Sequence, residues 1–393
     1  MSDMIEQGPG RPYLRVAVCI ALVAAAIVFV ATRGGHHPRR VTTPVNPLPT
    51  APLVVQPELP RELSGVPMRP PVRATMLLGG NGLTEFGVDT KRTRRLMSTS
   101  TSSPVQLLTR RGGVVAVLAA DCSRCAAPVV FIRAGGSTAL PIGTALAVVA
   151  DVADDRIWLI NSPRSTDLRQ SNVSLVDVTG RVIRAAQDVD LDTVFHGTSG
   201  GLLGYSANAG AIELWNPATG NMRHIATVPT RPVLIDASNS AAAWTDFAAE
   251  CYAHCVHVLR MDNATHVSTF SLPSNYVIAL QPNFGAMSPD GTRLGLVVRR
   301  TGMELANVQV LVTDLASHEV TQVPGTRLSP DDSGVRLSIV WDRASTALWI
   351  ADSDDRDGLP VQLGRWPLRG PLRLVTAAAT DITSIAQVDP TSQ

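Results

Sequence analysis

Four of the five cysteines in this 393-residue chain fall in two close pairs. "DCSRC" carries Cys122 and Cys125, and "ECYAHC" carries Cys251 and Cys255. Paired thiols can clamp a metal, exchange electrons or form a covalent staple. A redox pair needs a stabilised thiolate, which a helix N-terminus or a nearby cation supplies. Here Asp121 and Glu250 stand directly before the pairs, and a negative neighbour disfavours thiolate. "CYAHCVH" adds His254 and His257 as possible zinc ligands, but the spacing is not that of a closed zinc site. The remaining chemistry is two short-loop disulfides, Cys122–Cys125 and Cys251–Cys255. Each is worth about 2 kcal/mol from chain entropy, and each requires an oxidising compartment.

Other stretches carry weaker chemistry. "HGTSGG" (196–201) and "GYSANAG" (204–210) contain serines among glycines but lack the Gly-x-Ser-x-Gly turn between a strand and a helix. "ADSDDRDG" (351–358) is rich in aspartate, yet Arg356 interrupts the alternation that a calcium loop needs. No acid, base and nucleophile set emerges, so no catalytic residue, metal or cofactor is assigned. A net charge of +1 gives no electrostatic footprint for nucleic acid.

The run Val16–Thr32 has no charged residue and lies between Arg15 and Arg33. It meets the lower limit of about 17 residues for a membrane span, and the flanking arginines can snorkel. Cleavage after Ala31 would place Phe29 at the −3 position, where a small residue is wanted. The run therefore reads as an uncleaved anchor. Arg11 and Arg15 on one side and Arg33, Arg39 and Arg40 on the other leave the orientation open by charge alone. The cysteine pairs decide for an N-terminus inside and the bulk of the chain outside. Basic charge carried almost wholly by arginine, with Lys91 the only lysine, suggests a bacterial source. Residues 33–72 are rich in proline and read as an extended linker.

After the linker, short apolar runs alternate with turns rich in Gly, Asp, Asn and Pro, which is an all-β pattern. Strands with a polar turn, from "LTEFGVD" (83–89) through "VSLVDVTG" (173–180) to "VQLGRWPLRG" (361–370), recur about every 46 residues, within the range expected of propeller blades. The first unit lacks an innermost strand, and "DITSIAQV" (381–388) supplies one from the far end of the chain. The predicted fold is an all-β, seven-bladed β-propeller of four-stranded blades, with the C-terminal strand closing the first blade, after an N-terminal transmembrane helix. The basic outer strand "TKRTRR" (90–95) reads as an edge kept soluble by charge.

"MSPDGTRLGLVV" (287–298) resembles the Ser-Pro-Asp-Gly repeat signature of TolB-like propellers, relatives of WD-repeat proteins. Asp-Gly there makes the tight turn between strands. The resemblance covers the propeller alone and implies its fold and a surface location; it carries over no catalytic residues. The Trp341–Asp342 dipeptide falls in an inner strand rather than at the WD-repeat position.

The expected organisation is a tail (1–15), a transmembrane helix (16–32), a Pro-rich linker (33–72), a propeller (73–388) and a second tail (389–393). The expected function is a non-catalytic protein-binding or scaffold module of the bacterial cell envelope. It is membrane-bound through 16–32, with a protein or envelope-polymer partner and no nucleic acid. The alternatives are a propeller hydrolase or lyase with an axial active site, and a glycan-binding sensor. Binding is expected on the face bearing the long second-to-third-strand loops, through Arg164, Arg169, Tyr252, His254, Asp354 and Arg356.

Overall fold

The strand Gly113–Leu118 shows why the chain makes blades. All six residues are buried. Val114, Ala116 and Leu118 pack toward one neighbouring blade, while Val115 and Val117 pack toward the other. Period-two alternation of β-branched and small apolar residues thus buries both faces of a sheet. Such a sheet needs a partner on each side.

The ring supplies those partners. The computed structural model describes residues 48–54, 74–80, 82–97, 104–118, 125–136, 138–163, 169–228, 230–247, 251, 253–261, 266–279, 284–300, 308–326, 336–353, 362–370, 372–376 and 382–388. Segments 1–15, 16–32 and 389–393 lie outside these residues. Among the described residues no helix is long and apolar enough to cross a membrane.

Seven antiparallel sheets follow one another in chain order, each of four strands counted from the axis outward, with blade six carrying more. Blade one is Ile382–Val388, Thr75–Gly80, Gly82–Gly87 and Thr93–Met97, so the last strand of the chain closes the first blade. The innermost strands of blades two to five are Pro104–Arg110, Ala147–Ala150, Thr193–Thr198 and Val233–Ala237. In blade six the innermost position is split between Tyr276–Ile278 and Gly285–Met287; blade seven begins with Arg336–Trp341. Each seam between adjacent blades holds its own apolar cluster. Trp158, Trp215, Trp244, Trp341, Trp349 and Trp366 are all buried in these seams. Full burial of one large apolar side chain contributes roughly 1.5–3 kcal/mol.

Polar ties near the axis set the seams in register. The Gln106 amide spans from blade two to blade three, donating to Val148 O (2.8 Å) and accepting from Val148 N (3.1 Å). Met287 N donates to Asp236 Oδ2 (2.6 Å), and Trp341 Nε1 donates to Ala286 O (2.8 Å). These bonds satisfy groups that would be costly to bury unpaired.

Two features of the rim differ from expectation. Part of the expected linker is not a free spacer: Leu53–Val54 adds a parallel strand to the outer edge of blade six, and Thr50 bridges Ser271 on blade five. Ala51 is buried there. The basic edge of blade one is also tied rather than merely solvated. Arg94 pairs with Glu85 and donates to Gly136 O of blade two (2.9 Å).

Because strands alternate in direction, the ring has two distinct faces. Turns from innermost to second strand, and from third to outer strand, emerge on one; we call it the turn face. Second-to-third connections and blade-to-blade crossings emerge on the other, the loop face.

Candidate functional site

On the loop face the second-to-third turn of blade five carries a covalent bond. Cys251 and Cys255 are joined there in a disulfide. Cys251, Asp246 and His257 approach one another closely enough to suggest a metal site. The disulfide removes the thiolates that zinc would need. Ala253 sits at φ 55°, a left-handed conformation that the closed turn holds in place. The turn is bonded to the start of blade six: Ile278 N donates to Ala253 O (2.9 Å), and His254 Nδ1 donates to Tyr276 O (2.7 Å). His254 is therefore a fixed part of the turn. Exposed Phe247 borders it.

Beneath this turn runs a half-buried polar row. His257 Nε2 donates to Asp246 Oδ2 (3.1 Å), and His257 Nδ1 accepts from Thr269 Oγ1 (2.9 Å). Trp244 stacks on the imidazole at 5.5 Å. Burial holds the His257 pKa below the usual histidine range, outweighing the attraction of Asp246. The order Asp–His–Thr is that of a nucleophilic relay. Here it lies across strands inside a blade, under a tryptophan, and its effect is to stiffen the turn above.

Of the other residues expected to bind, Arg164, Tyr252, Asp354 and Arg356 lie outside the described residues, as does Cys122. Arg169 Nη1 donates to Asn208 Oδ1 (3.0 Å), which ties the loop of blade three to blade four. Cys125 is disulfide-bonded. Cys125 precedes the third strand of blade two, as Cys255 begins that of blade five.

The turn face carries a second constellation, which motif reading missed. Arg111, Val152–Asp155, Asn239 and Arg343 line a recess of about 570 Å³. These residues belong to the innermost-to-second turns of blades two, three, five and seven. Such turns share no neighbourhood but the axis, so the recess is the axial mouth. Asp154 Oδ2 accepts from Arg343 Nη2 (3.0 Å) across the ring, and Arg110 Nη1 stands 3.8 Å from Asp154 Oδ1. Asp151, buried below, accepts from Trp158 Nε1 (3.0 Å). His196 Nε2 donates to Asn239 Oδ1 (3.0 Å). Desolvation, reinforced by the charge of Arg110, pulls His196 down to about 4, so it is neutral at physiological pH. Burial pushes the Asp236 carboxyl up to about 6.

The signal that could have found this site is positional. Each residue lining the recess falls between the first and second strand of its repeat, at sequence separations far beyond any motif. "HGTSGG" lies in such a turn in blade four and serves as an ordinary strand connection.

No protein-family model matches the chain, and no curated protein matches it. Solved structures do. The chain is similar to the periplasmic gluconolactonase of Pseudomonas aeruginosa, with a TM-score of 0.51 and 14% identity over 80% of this chain and 99% of that one. It is also similar to a prolyl endopeptidase structure, with a TM-score of 0.50 and 9% identity over 79% of this chain and 50% of that one. TolB from Acinetobacter baumannii superposes with a TM-score of 0.45 and 13% identity over 83% of this chain and 69% of that one. At such identities the likeness is one of fold, and fold does not assign function.

Proposed function

We propose that this propeller is an extracytoplasmic, membrane-tethered binding module of the cell envelope. In this reading residues 16–32 span the plasma membrane with the N-terminus in the cytoplasm. The loop face then presents its long connections to a protein or an envelope polymer. The observation that carries the reading is the Cys251–Cys255 disulfide, set in a turn further bonded to blade six. A persistent disulfide belongs to an oxidising compartment. A loop tip held rigid before the partner arrives lowers the ordering cost of binding. Cys122–Cys125 would give blade two the same device.

Binding is favoured over catalysis by the state of the titratable groups. His196 is buried and bonded to Asn239, and Asp154 is bonded to Arg343. His257 has both ring nitrogens engaged. A general base must reach the proton it abstracts, and these groups are spent on holding the ring.

The test has two arms. Protease treatment of intact cells should release the propeller; protection until the membrane is breached would reverse the topology. A photo-crosslinker placed at the exposed Phe247 of the full chain should capture one partner. Replacing the segments 162–171, 300–307 and 352–360 with short Gly-Asn turns should abolish that capture, and undiminished capture by a folded variant would place the site elsewhere.

A further inference from the structure

Behind Asp154, one of the residues that line the axial mouth, lies an arginine whose buried Nε has no hydrogen-bond partner. Arg110 ends the innermost strand of blade two and is 7% exposed. Its Nε is buried with no hydrogen-bond partner. The nearest carboxylate oxygen, on Asp154, is 3.8 Å from Nη1, too far for a hydrogen bond. Asp154 is instead drawn across the axis to Arg343 at 3.0 Å. Arg110 thus stands directly beside Asp154, and its neighbour Arg111 lines the recess. Stripping water from a guanidinium without replacing its hydrogen bonds is unfavourable. Burial accordingly pulls the Arg110 pKa down to about 10, still charged at neutral pH.

We propose that the axial mouth of the turn face is a binding site for one oxyanion group, a carboxylate or a phosphate, seated on Arg110 with Arg111 and Arg343 at its rim. Guanidinium forks match the two-oxygen edge of either anion, and charge-assisted bonds of this kind are the strong ones. The recess, at about 570 Å³, has the size of a small-molecule site. Asp154 and Asp155 on the same rim oppose a second negative charge, so the fit is to a single anionic group on an otherwise uncharged polar molecule. Val152, 41% exposed at the rim, offers one apolar contact to that body. The site lies on the face opposite the disulfide-pinned loops, so it stands or falls independently of the partner proposed there.

Asp154 makes the proposal two-sided, because it competes with the anion for the same arginines. In the full-length protein, calorimetric titration at low ionic strength with inorganic phosphate and, separately, with acetate should show one-site saturable binding of at least one probe. Which probe binds distinguishes a phosphate from a carboxylate ligand. Asp154→Asn, a half-exposed change, should tighten that binding by about tenfold, the worth of one charge-assisted bond. Arg110→Met should abolish it, and Arg343→Gln should weaken it by about tenfold as Asp154 swings back onto Arg110. Binding of neither probe in the wild-type and Asp154→Asn proteins would overturn the proposal. So would binding that Asp154→Asn leaves unchanged, since that describes an anion on scattered surface arginines. Because Asp154→Asn carries the decision alone, failure of Arg110→Met to fold leaves the test intact.

Discussion

On the turn face, connections such as 111–112, 199–200 and 238–240 are short, and the side chains at their bases bond from blade to blade. On the loop face, the second-to-third turn of blade five is closed by a covalent bond within the turn itself. The turn face is thus held by what it buries between blades. The loop face is held by local closure, turn by turn. Substitutions in what is buried between blades should cost the most stability, and substitutions in the loop-face turns less.

The strongest way to break this contrast is at the seam. Trp341 is buried between blades six and seven and donates to Ala286 O. Trp341→Ala should cost about 3–5 kcal/mol in urea unfolding, from lost burial and an orphaned carbonyl. A cost near that of a surface change would mean that the blades are held elsewhere.

The next effect is pH-dependent and belongs to the same face. Asp236 titrates near 3.8 when unfolded and at about 6 when folded. The unfolded state therefore ionises first, and stability falls by about 3 kcal/mol as pH rises through that window. His196 works in reverse: with a folded value of about 4 against 6.5, its term is fully present above pH 6.5 and is lost as pH falls toward 4. The two oppose each other, so each masks much of the other's effect in the wild-type profile between about pH 4 and 6.5. Asp236→Asn should uncover a stability that climbs with pH. Parallel profiles would show that Asp236 is not the buried acid described here.

On the loop face the effects shrink. Cys251→Ser should cost about 2 kcal/mol, the entropy of a short closed loop, with the unfolding transition still cooperative. A loss as large as that of Trp341→Ala would make the disulfide a part of the core. Arg169→Ala removes an exposed bond to Asn208 and should change stability by less than about 0.5 kcal/mol. A larger cost would mean that the loop of blade three is integral to the ring.

The blade pattern was legible because its signals are local. Alternation in "GVVAVL" and the Asp-Gly turn of "SPDG" each act within a few residues. Only one long-range step was needed, the pairing of 382–388 with Thr75–Gly80, and the missing strand of the first repeat implied it. The outer rim was less legible. Leu48–Val54 lies within a Pro-rich stretch whose composition reads as linker, yet Thr50–Val54 lies against strand edges left open by blades five and six. A strand edge offers backbone bonds to any extended segment, so side-chain pattern did not announce the pairing.

The sequence by itself therefore determined the class, the blade count, the closure and the place of both cysteine turns, because each depends on short-range periodicity and turn chemistry. The axial mouth was decided only by tertiary structure. Arg110, Asp154, His196, Asn239 and Arg343 share no spacing that chemistry would require; Asp154 and Arg343 are 189 residues apart. Ring closure turns the same position of each repeat toward one axis, and electrostatic contact between distant residues exists only once the ring has closed.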